Sequence, residues 1–517
     1  MDQQTNYKLK TDFLISSDVP LNHQTQTSTL KSIYKKCNGC KRRRKVFNEI
    51  DQICVQCYKA KKIPLSGNKV IDDFIKFTLT NYCKKEGGME FVPYEKFKDI
   101  KFIAEGGFSK IYKATWIDGP IVDWNEKKQK YNRYGEMTVA LKELDSSENI
   151  NSRKLNELKI YYNFVSKWKP DKEDAKEDRK SRKNYYVNIS DYNNINICYG
   201  ITQNPITKNF MIITKYYDMG DLAHYIANDF FNYIWYNKLS ILHNIASGLK
   251  NIHDANIIHK DYHSGNIFVV YSYSATTGDL GLSKSAIESL DDENEIYGII
   301  PYVAPEVLQG QKYTKASDIY SFGMIMWELM TGRRPFWDKN HDAELIIEIC
   351  DGIRPPVVTN APKGYVELMK ECWHSDPNKR PTANDLSKIF VKDGKLDCGP
   401  EFENPTKIIK SPDIGPITNN PNAVYKSRPL SAMIKSAEST RSLKIQRYKP
   451  FNEGKRMIND NNSNEDTGNI DKTIKKIKLN KNDDYLSKEL EFDIDNNINN
   501  SKFNNSDYTT KEIGFDI

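Results

Sequence analysis

The chain has 517 residues, with 76 Lys and Arg against 69 Asp and Glu for a net charge of +7, and its length gives room for two to four domains. No apolar run approaches the ~18–20 residues that a membrane-spanning helix needs, and Met1 to Asn6 lack the basic-then-apolar layout of a secretory leader. These features exclude the membrane-spanning and disulfide-scaffold classes and predict an intracellular chain, in which the nine cysteines are reduced thiols or metal ligands.

Residues 1–30 are polar and rich in Gln, Thr and Ser, which predicts disorder. Segment 31–62 holds two CxxC pairs, Cys37-Asn38-Gly39-Cys40 and Cys54-Val55-Gln56-Cys57, with thirteen residues between them. A CxxC turn points two thiolates at one ion, and two such turns complete the tetrahedral set of a structural zinc site. About thirty residues bury too little to fold unaided. Zinc binding of ~10–16 kcal/mol in small finger peptides supplies the difference. Cys37, Cys40, Cys54 and Cys57 are therefore read as zinc ligands; the rival readings are free thiols in a disordered arm, or a redox pair. Between the pairs runs Lys41-Arg42-Arg43-Arg44-Lys45. Segment 31–62 carries eleven Lys or Arg against Glu49 and Asp51, a local +9 that exceeds the whole chain's +7 and leaves −2 elsewhere. Such a patch fits contact with nucleic-acid phosphate or an anionic surface, or a nuclear localisation signal, and equally a solvated loop. Residues 63–96 read as a linker. Cys83, Cys198, Cys350, Cys372 and Cys398 are scattered, those inside the folded region reading as packing residues.

From residue 97 onward the patterns carry chemistry. Ala104-Glu105-Gly106-Gly107-Phe108-Ser109, with Ile111 beyond it, reads as a hairpin whose glycines let backbone N–H groups approach phosphate. The stretch from Trp124 to Glu136 reads as an insertion that lengthens the next loop. Val139-Ala140-Leu141-Lys142 is an apolar strand sending a lysine into a cleft, and Glu157, fifteen residues on, is its candidate partner. The segment Lys167 to Arg182, with its mixed-charge run Lys172 to Lys180, reads as a second, solvated insertion. The stretch His259-Lys260-Asp261-Tyr262-His263-Ser264-Gly265-Asn266 is followed thirteen positions later by Asp279-Leu280-Gly281. Asp261 supplies a carboxylate to orient and deprotonate a hydroxyl, while Asn266 and Asp279 supply hard oxygen ligands for magnesium. Asp318 opens a helix continuing to Met330 that is apolar on nearly every face, so it is a buried central one. The tail, 391–517, is rich in Asn, Lys and Asp, with too few aromatics to offset ordering entropy.

In this order the patterns resemble the motifs of eukaryotic protein kinases over residues 97–390: H-R-D-x-x-x-x-N at 259–266, D-F-G at 279–281, V-A-I-K at 139–142 and A-P-E at 304–306. Cys372-Trp373 with Asp376-Pro377 and Arg380 resembles the late motif whose arginine pairs with the A-P-E glutamate, here Glu306. The narrower likeness is to the tyrosine-kinase-like group and to the kinases expanded in mycorrhizal fungi. The resemblance implies an α+β, bilobal protein kinase fold, with a small mainly β N-lobe, a large mainly α C-lobe, the four-cysteine zinc module before it and disordered tails. It implies ATP and Mg2+ as cofactors, protein substrates, and transfer of the γ-phosphate to protein hydroxyls in signal transduction in the cytoplasm or the nucleus. Asp261, Lys142 and Glu157 are the implied catalytic residues, with Asn266 and Asp279 on magnesium. The implied nucleotide pocket takes Ala104, Glu105, Gly106, Gly107, Phe108 and Ser109 over the phosphates. Ile111 and Ala140 lie above the adenine and Phe268 below it, Thr214 is the gatekeeper, Lys215 and Tyr217 form the hinge, and Asp221 lies beyond it. The leading Asp318 is implied to brace the catalytic loop.

Departures from the family pattern matter. Lys260 for Arg and Leu280 for Phe keep charge and apolarity, but Ala104 and Ser109 stand at the first and third glycine positions, which leaves a non-catalytic pseudokinase scaffold open. His263 and Ile299 occupy positions where serine/threonine kinases usually place Lys and Thr, and the tyrosine-kinase A-A-R or R-A-A is absent too. The run Pro301 to Glu306 is nearer the serine/threonine pattern, so Ser/Thr is favoured over Tyr. The activation loop carries Glu288, Asp291, Asp292, Glu293 and Glu295. Lys260 is expected to face either one of these acids or a phosphate placed on Ser283, Ser285, Ser289 or Tyr297.

Overall fold

A computed structural model describes residues 34–81, 89–107, 109–150, 155–167, 194–230, 233–285, 295–357, 361–390 and 420–447. Residues 1–30, Cys83, Phe108, the 172–180 run, the acids 288–293 with Ser289, Cys398, and tail residues 391–419 and 448–517 lie outside them.

The N-terminal module has three short antiparallel strands, β1 (Tyr34–Lys36), β2 (Arg43–Asn48) and β3 (Ile53–Cys54), running into helix α1 (Val55–Ala60). Alternation along β2 exposes Arg43, Lys45 and Phe47 and turns Arg44 inward. There Arg44 donates to the Thr80 carbonyl at 2.8 Å. Thr80 belongs to α2 (Lys69–Asn81), whose Ile71 and Ile75 are buried one helical turn apart. Next comes β4 (Glu90–Phe91), parallel to a strand of the main sheet. Segment 63–96 is therefore not a linker: an apolar stripe on α2 and a short strand pack it into the small-lobe core.

The small lobe continues through β5 (Phe97–Glu105), β6 (Ser109–Trp116), β7 (Ile121–Asn125), β8 (Lys130–Arg133), β9 (Met137–Leu144), α3 (Asn156–Lys167), β10 (Cys198–Gln203) and β11 (Phe210–Lys215). Its sheet runs β4-β10-β11-β9-β6-β5, antiparallel except at β4. The insertion at 124–136 is largely the β7–β8 hairpin. Its Trp124 sits edge-on to Tyr58 at 6.2 Å, and Lys59 of α1 reaches Glu126 at 3.4 Å, so the hairpin is the platform on which the cysteine module rests.

The large lobe comprises α4 (Leu222–Asp229), α5 (Trp235–Asp254), β12 (Ile257–Ile258), β13 (Ile267–Tyr271), β14 (Ser274–Thr277), β15 (Lys284–Ser285), β16 (Tyr297–Gly298), α6 (Pro305–Leu308), α7 (Lys315–Thr331), α8 (Ala343–Cys350), α9 (Tyr365–Cys372) and α10 (Ala383–Phe390). Helix α7 is buried from Ser317 to Thr331. A capping box of Thr314 and Ser317 starts it, and Gly332, at φ 70, ends it in the left-handed conformation a glycine tolerates.

Beyond residue 390 the structure departs from the composition-based expectation of disorder. Residues 428–447 form β17 (Arg428–Pro429) and α11 (Ser431–Arg447), and β17 pairs antiparallel with β16. Leu430, Ile434 and Ala437 are 0–4 % exposed against the large-lobe core. Their spacing of four and three residues is a helical apolar stripe too short to register in the average composition of the tail.

Candidate active site

Strand alternation sets the first half of the site. Val139 and Leu141 of β9 enter the small-lobe core, while Ala140 clusters separately with Ile103, Ile111, Tyr216 and Phe268. Lys142 lies on that second side. Its Nζ is 3.0 Å from Glu157 Oε2 on α3 and 2.6 Å from Asp279 Oδ1. Burial opposes a charged lysine, but the two carboxylates outweigh it and hold Lys142 above its ordinary range. Burial also opposes charge on Asp279, yet Lys142 keeps that carboxyl below the usual carboxylate value. Asp279 takes a left-handed backbone, φ 50, and the Gly281 N–H donates to its Oδ1 at 3.1 Å. A Cβ on Gly281 would stand 3.0 Å from that oxygen, so a side chain there would push the Asp279 carboxylate aside by a few tenths of an ångström. Asn156 ties the turn to α3, its amide donating to the carbonyls of Gly281 and Ser283 at 3.2 and 2.9 Å. Sequence reasoning passed over Asn156, although it adjoins Glu157.

The second half is held from beneath. The Asp318 carboxylate, 1 % exposed at the start of α7, accepts the backbone N–H groups of His259 and Lys260, both at 2.9 Å, and stands 2.9 Å from His253 Nε2. The bond to Lys260 supports a backbone at φ 71. Asn266 donates to the Asp261 carbonyl at 2.9 Å, which aims its amide oxygen the other way. Beside Asp261 stands His263. Its Nδ1 accepts from the Gly265 N–H at 3.1 Å, which leaves the proton on Nε2, 3.6 Å from Asp261 Oδ2. Burial pushes the Asp261 carboxyl up, but His263 and a hydrogen bond from Ser427 hold it below its ordinary value.

The remaining pocket residues fall on the β5–β6 turn, β11 and β13. Gly106 donates to the Ser109 carbonyl at 2.8 Å, closing a turn in which Glu105 and Lys110 are paired. Ala104 is buried and Gly107 exposed. Thr214 pairs with Ala140 across β11 and β9, and the Lys215 N–H donates to the Ile197 carbonyl at 3.2 Å. Tyr217 stacks on Phe268 with ring centres 5.5 Å apart.

Two expectations are corrected here. Asp221 is 1 % exposed and caps α4, accepting from the His224 N–H at 2.8 Å, so its carboxylate serves the helix end instead of facing outward to a nucleotide. Ser283, a candidate phosphosite, is 1 % exposed and donates to the His259 carbonyl at 3.2 Å, so its hydroxyl is not accessible to a kinase. Lys260 stands over the Tyr313 ring at 5.9 Å, and Glu295 accepts from the Ser431 N–H at 3.3 Å.

Burial raises the Asp221 carboxyl to about 7, only partly offset by the cap N–H and the charges of Arg334 and His263. Between the ordinary value of ~4 and this raised one, the folded state holds a proton that the unfolded chain has released, so stability falls as pH climbs through that window. Asp221→Asn keeps a capping side chain without the ionisation. Its melting temperature is expected to match the wild type near pH 4 and to exceed it increasingly toward pH 8. A gap independent of pH in thermal melts would refute the assignment.

Away from the cleft, the four thiols of Cys37, Cys40, Cys54 and Cys57 all lie within 4.8 Å of one another. The pairs Cys37–Cys57 and Cys40–Cys54 are 3.6 and 3.9 Å apart. A tetrahedral zinc with ligands at ~2.3 Å needs sulfurs about 3.8 Å apart, so the donor set and its spacing fit that ion. A Cβ at Gly39 would stand 2.7 Å from Cys57 Sγ, so the first CxxC turn has no room for a side chain there. Among the described residues no helix is long and apolar enough to cross a membrane.

Comparison with known proteins agrees with this geometry. Residues 164–390 match the family described as protein tyrosine and serine/threonine kinase. A protein of Acanthamoeba polyphaga mimivirus named as a serine/threonine-protein kinase/receptor is 33% identical over 180 residues, 34% of this chain and 11% of the relative. A serine/threonine-protein kinase of Dictyostelium discoideum is 35% identical over 185 residues, 34% of this chain and 11% of its own length. Ephrin type-A receptor 5 of Gallus gallus is 32% identical over 193 residues, 36% of this chain and 19% of the relative. The chain thus spans between 11% and 19% of these relatives. Motif geometry and family match converge on one conclusion: the chain carries a eukaryotic protein kinase domain.

Proposed function

We propose that this chain is a protein kinase transferring the γ-phosphate of ATP to protein hydroxyls, serine or threonine in preference to tyrosine. The observation that carries the reading is Lys142 held between Glu157 and Asp279, at 3.0 and 2.6 Å, next to a catalytic loop braced by Asp318. Lys142, positioned by Glu157, anchors the nucleotide phosphates. Magnesium, when bound, neutralises charge on the phosphate oxygens. Asp279, charged and part-exposed, and the outward amide oxygen of Asn266 are the donors that suit it. Asp261 orients the acceptor hydroxyl and takes its proton. The adenine enters beside Ile111, Ala140 and Phe268, with Thr214 and the Lys215–Tyr217 hinge along its edge. The names of the mimivirus and Dictyostelium relatives support the Ser/Thr preference.

Purified protein given Mg-ATP is expected to yield mainly phosphoserine and phosphothreonine, on itself or on an added protein. Mostly phosphotyrosine in phosphoamino-acid analysis would overturn the acceptor assignment. No transfer at all would favour the pseudokinase reading, which Ala104 and Ser109 motivate.

The cysteine module is part of the same proposal as a four-thiolate zinc site that holds 34–60 folded, in a compartment where thiols stay reduced, the cytoplasm or nucleus. Lys41, Arg42, Arg43 and Lys45 are exposed, which supports contact with an anionic surface or nucleic acid, whereas Arg44 is committed to Thr80. One zinc per chain is expected by elemental analysis. Chelation is expected to make the module protease-sensitive while the kinase domain stays folded, since ~10–16 kcal/mol of binding would be withdrawn from a segment with little core of its own. Cys57→Ser retaining a full equivalent of zinc would refute the ligand set.

A further inference from the structure

The segment that follows the kinase motifs returns to the catalytic cleft. Asn420 donates to the Asp338 carbonyl at 3.3 Å, the Val424 carbonyl faces His341 Nδ1 at 2.9 Å, and the Tyr425 hydroxyl donates to the Pro335 carbonyl at 2.9 Å beneath the Arg334 guanidinium. Farther on, Arg428 and Pro429 pair antiparallel with Gly298 and Tyr297. The Leu430 N–H donates to the Ile296 carbonyl at 2.7 Å, and Leu430 itself is fully buried. The chain is thereby held on both sides of Ser427, with a strand on its C-terminal side. The Ser427 hydroxyl donates to Asp261 Oδ1 at 2.6 Å. Above it the β5–β6 turn closes so tightly that a Cβ at Gly107 would overlap the Ser427 carbonyl oxygen.

This is the placement a phosphoacceptor takes: a hydroxyl donating to the carboxylate that would receive its proton, next to a strand hydrogen-bonded to the loop ahead of the A-P-E helix. We propose that Ser427 is an intramolecular phosphorylation site, and that residues 420–431 occupy the protein-substrate track of their own kinase domain until Ser427 is modified. The inference rests on the kinase reading given above. Ser427 Oγ forms a bond to the γ-phosphorus of ATP while the bond from that phosphorus to the β,γ-bridging oxygen breaks. The hydroxyl proton passes to Asp261 and from there to solvent, since that carboxyl is held below its ordinary value, and ADP departs. The product is a phosphoserine dianion against the Asp261 carboxylate. Like-charge repulsion at that distance expels the strand and opens the track to other proteins.

The test uses the full chain, Mg-ATP and phosphosite mapping by mass spectrometry, with casein as the added substrate. Phosphate is expected on Ser427 with a first-order rate unchanged across a roughly hundredfold dilution, because a tethered acceptor sits at an effective concentration of order mM. Ser427→Ala is expected to remove that site and to keep casein phosphorylation low after preincubation with ATP, whereas preincubated wild type accelerates. Leu430→Asp, which undocks the strand without touching the catalytic residues, is expected to phosphorylate casein at once and Ser427 slowly. Casein phosphorylated while Ser427 stays unmodified would overturn this inference and leave the kinase reading standing. So would a Ser427 rate that falls in proportion to dilution. No transfer to any acceptor, by the wild type or by Leu430→Asp, would overturn both.

Discussion

Asp261→Asn is expected to lower kcat by ~10²–10⁴, the usual loss when a positioned acid–base group is removed. Asparagine fills the same space but cannot take up the proton of an attacking hydroxyl. The loop itself does not depend on that carboxylate. Its backbone hangs on Asp318, and the Asn266 amide donates to the Asp261 main-chain carbonyl at 2.9 Å, with only a longer 3.5 Å contact to the carboxylate that an asparagine oxygen can also accept. ATP affinity and melting temperature are therefore expected to stay near wild type while turnover collapses. Because the Asp261 carboxyl is held below its ordinary value, the acid limb of kcat/KM should lie below the normal Asp range. Steady-state kinetics with a protein substrate, alongside thermal melts, separate these effects. A variant with near wild-type kcat would remove Asp261 from the reaction.

Chemistry that depends on a few residues at fixed spacing was legible in the sequence. Lys142, Glu157, Asp279, Asp261 and Asn266 are separated by up to 137 positions, yet the structure brings them into one cleft through contacts their motifs imply. Helix α7 was legible for a different reason, since an all-round apolar sequence has nowhere to go but inside. What escaped reading depends on partners distant in the chain. Asp221 has the composition of a pocket residue, and only the backbone geometry at the start of α4 commits it to a cap. Segment 63–96 is polar enough on average to pass for a linker, because Ile71 and Ile75 supply its core face through only one stripe. Ser427 carries no local signal at all. Its position follows from Leu430, Ile434 and Ala437 docking a helix, which anchors the strand before it. That stripe of four and three was present in the sequence but was outweighed by the Asn-, Lys- and Asp-rich residues around it.

The largest expected effect on stability lies at Glu306 and Arg380. The two meet side by side, Nη1 to Oε1 and Nη2 to Oε2, both at 2.7 Å, and their side chains are 6% and 0% exposed. Arg380 also donates to the Ala316 carbonyl at 2.8 Å and, through Nε, to the His374 carbonyl at 2.8 Å. One guanidinium thus ties the helix after the activation segment to the start of α7 and the end of α9. A buried pair of this kind costs about as much to desolvate as its attraction returns, so its presence alone is weak evidence of net stability. Breaking it is another matter. Glu306→Leu strands a buried guanidinium cation, and the loss is expected to be ~3–5 kcal/mol. Arg380→Met is expected to cost a similar amount, because it strands the carboxylate and frees two backbone carbonyls. The double substitution Glu306→Leu with Arg380→Met removes both charges together. Its loss should be well under the sum of the two single losses, leaving mainly the unpaired carbonyls of Ala316 and His374. Urea unfolding of the four proteins measures this directly. Single variants within ~0.5 kcal/mol of wild type would mean that water reaches the pair and that the side chains do not hold these three elements together.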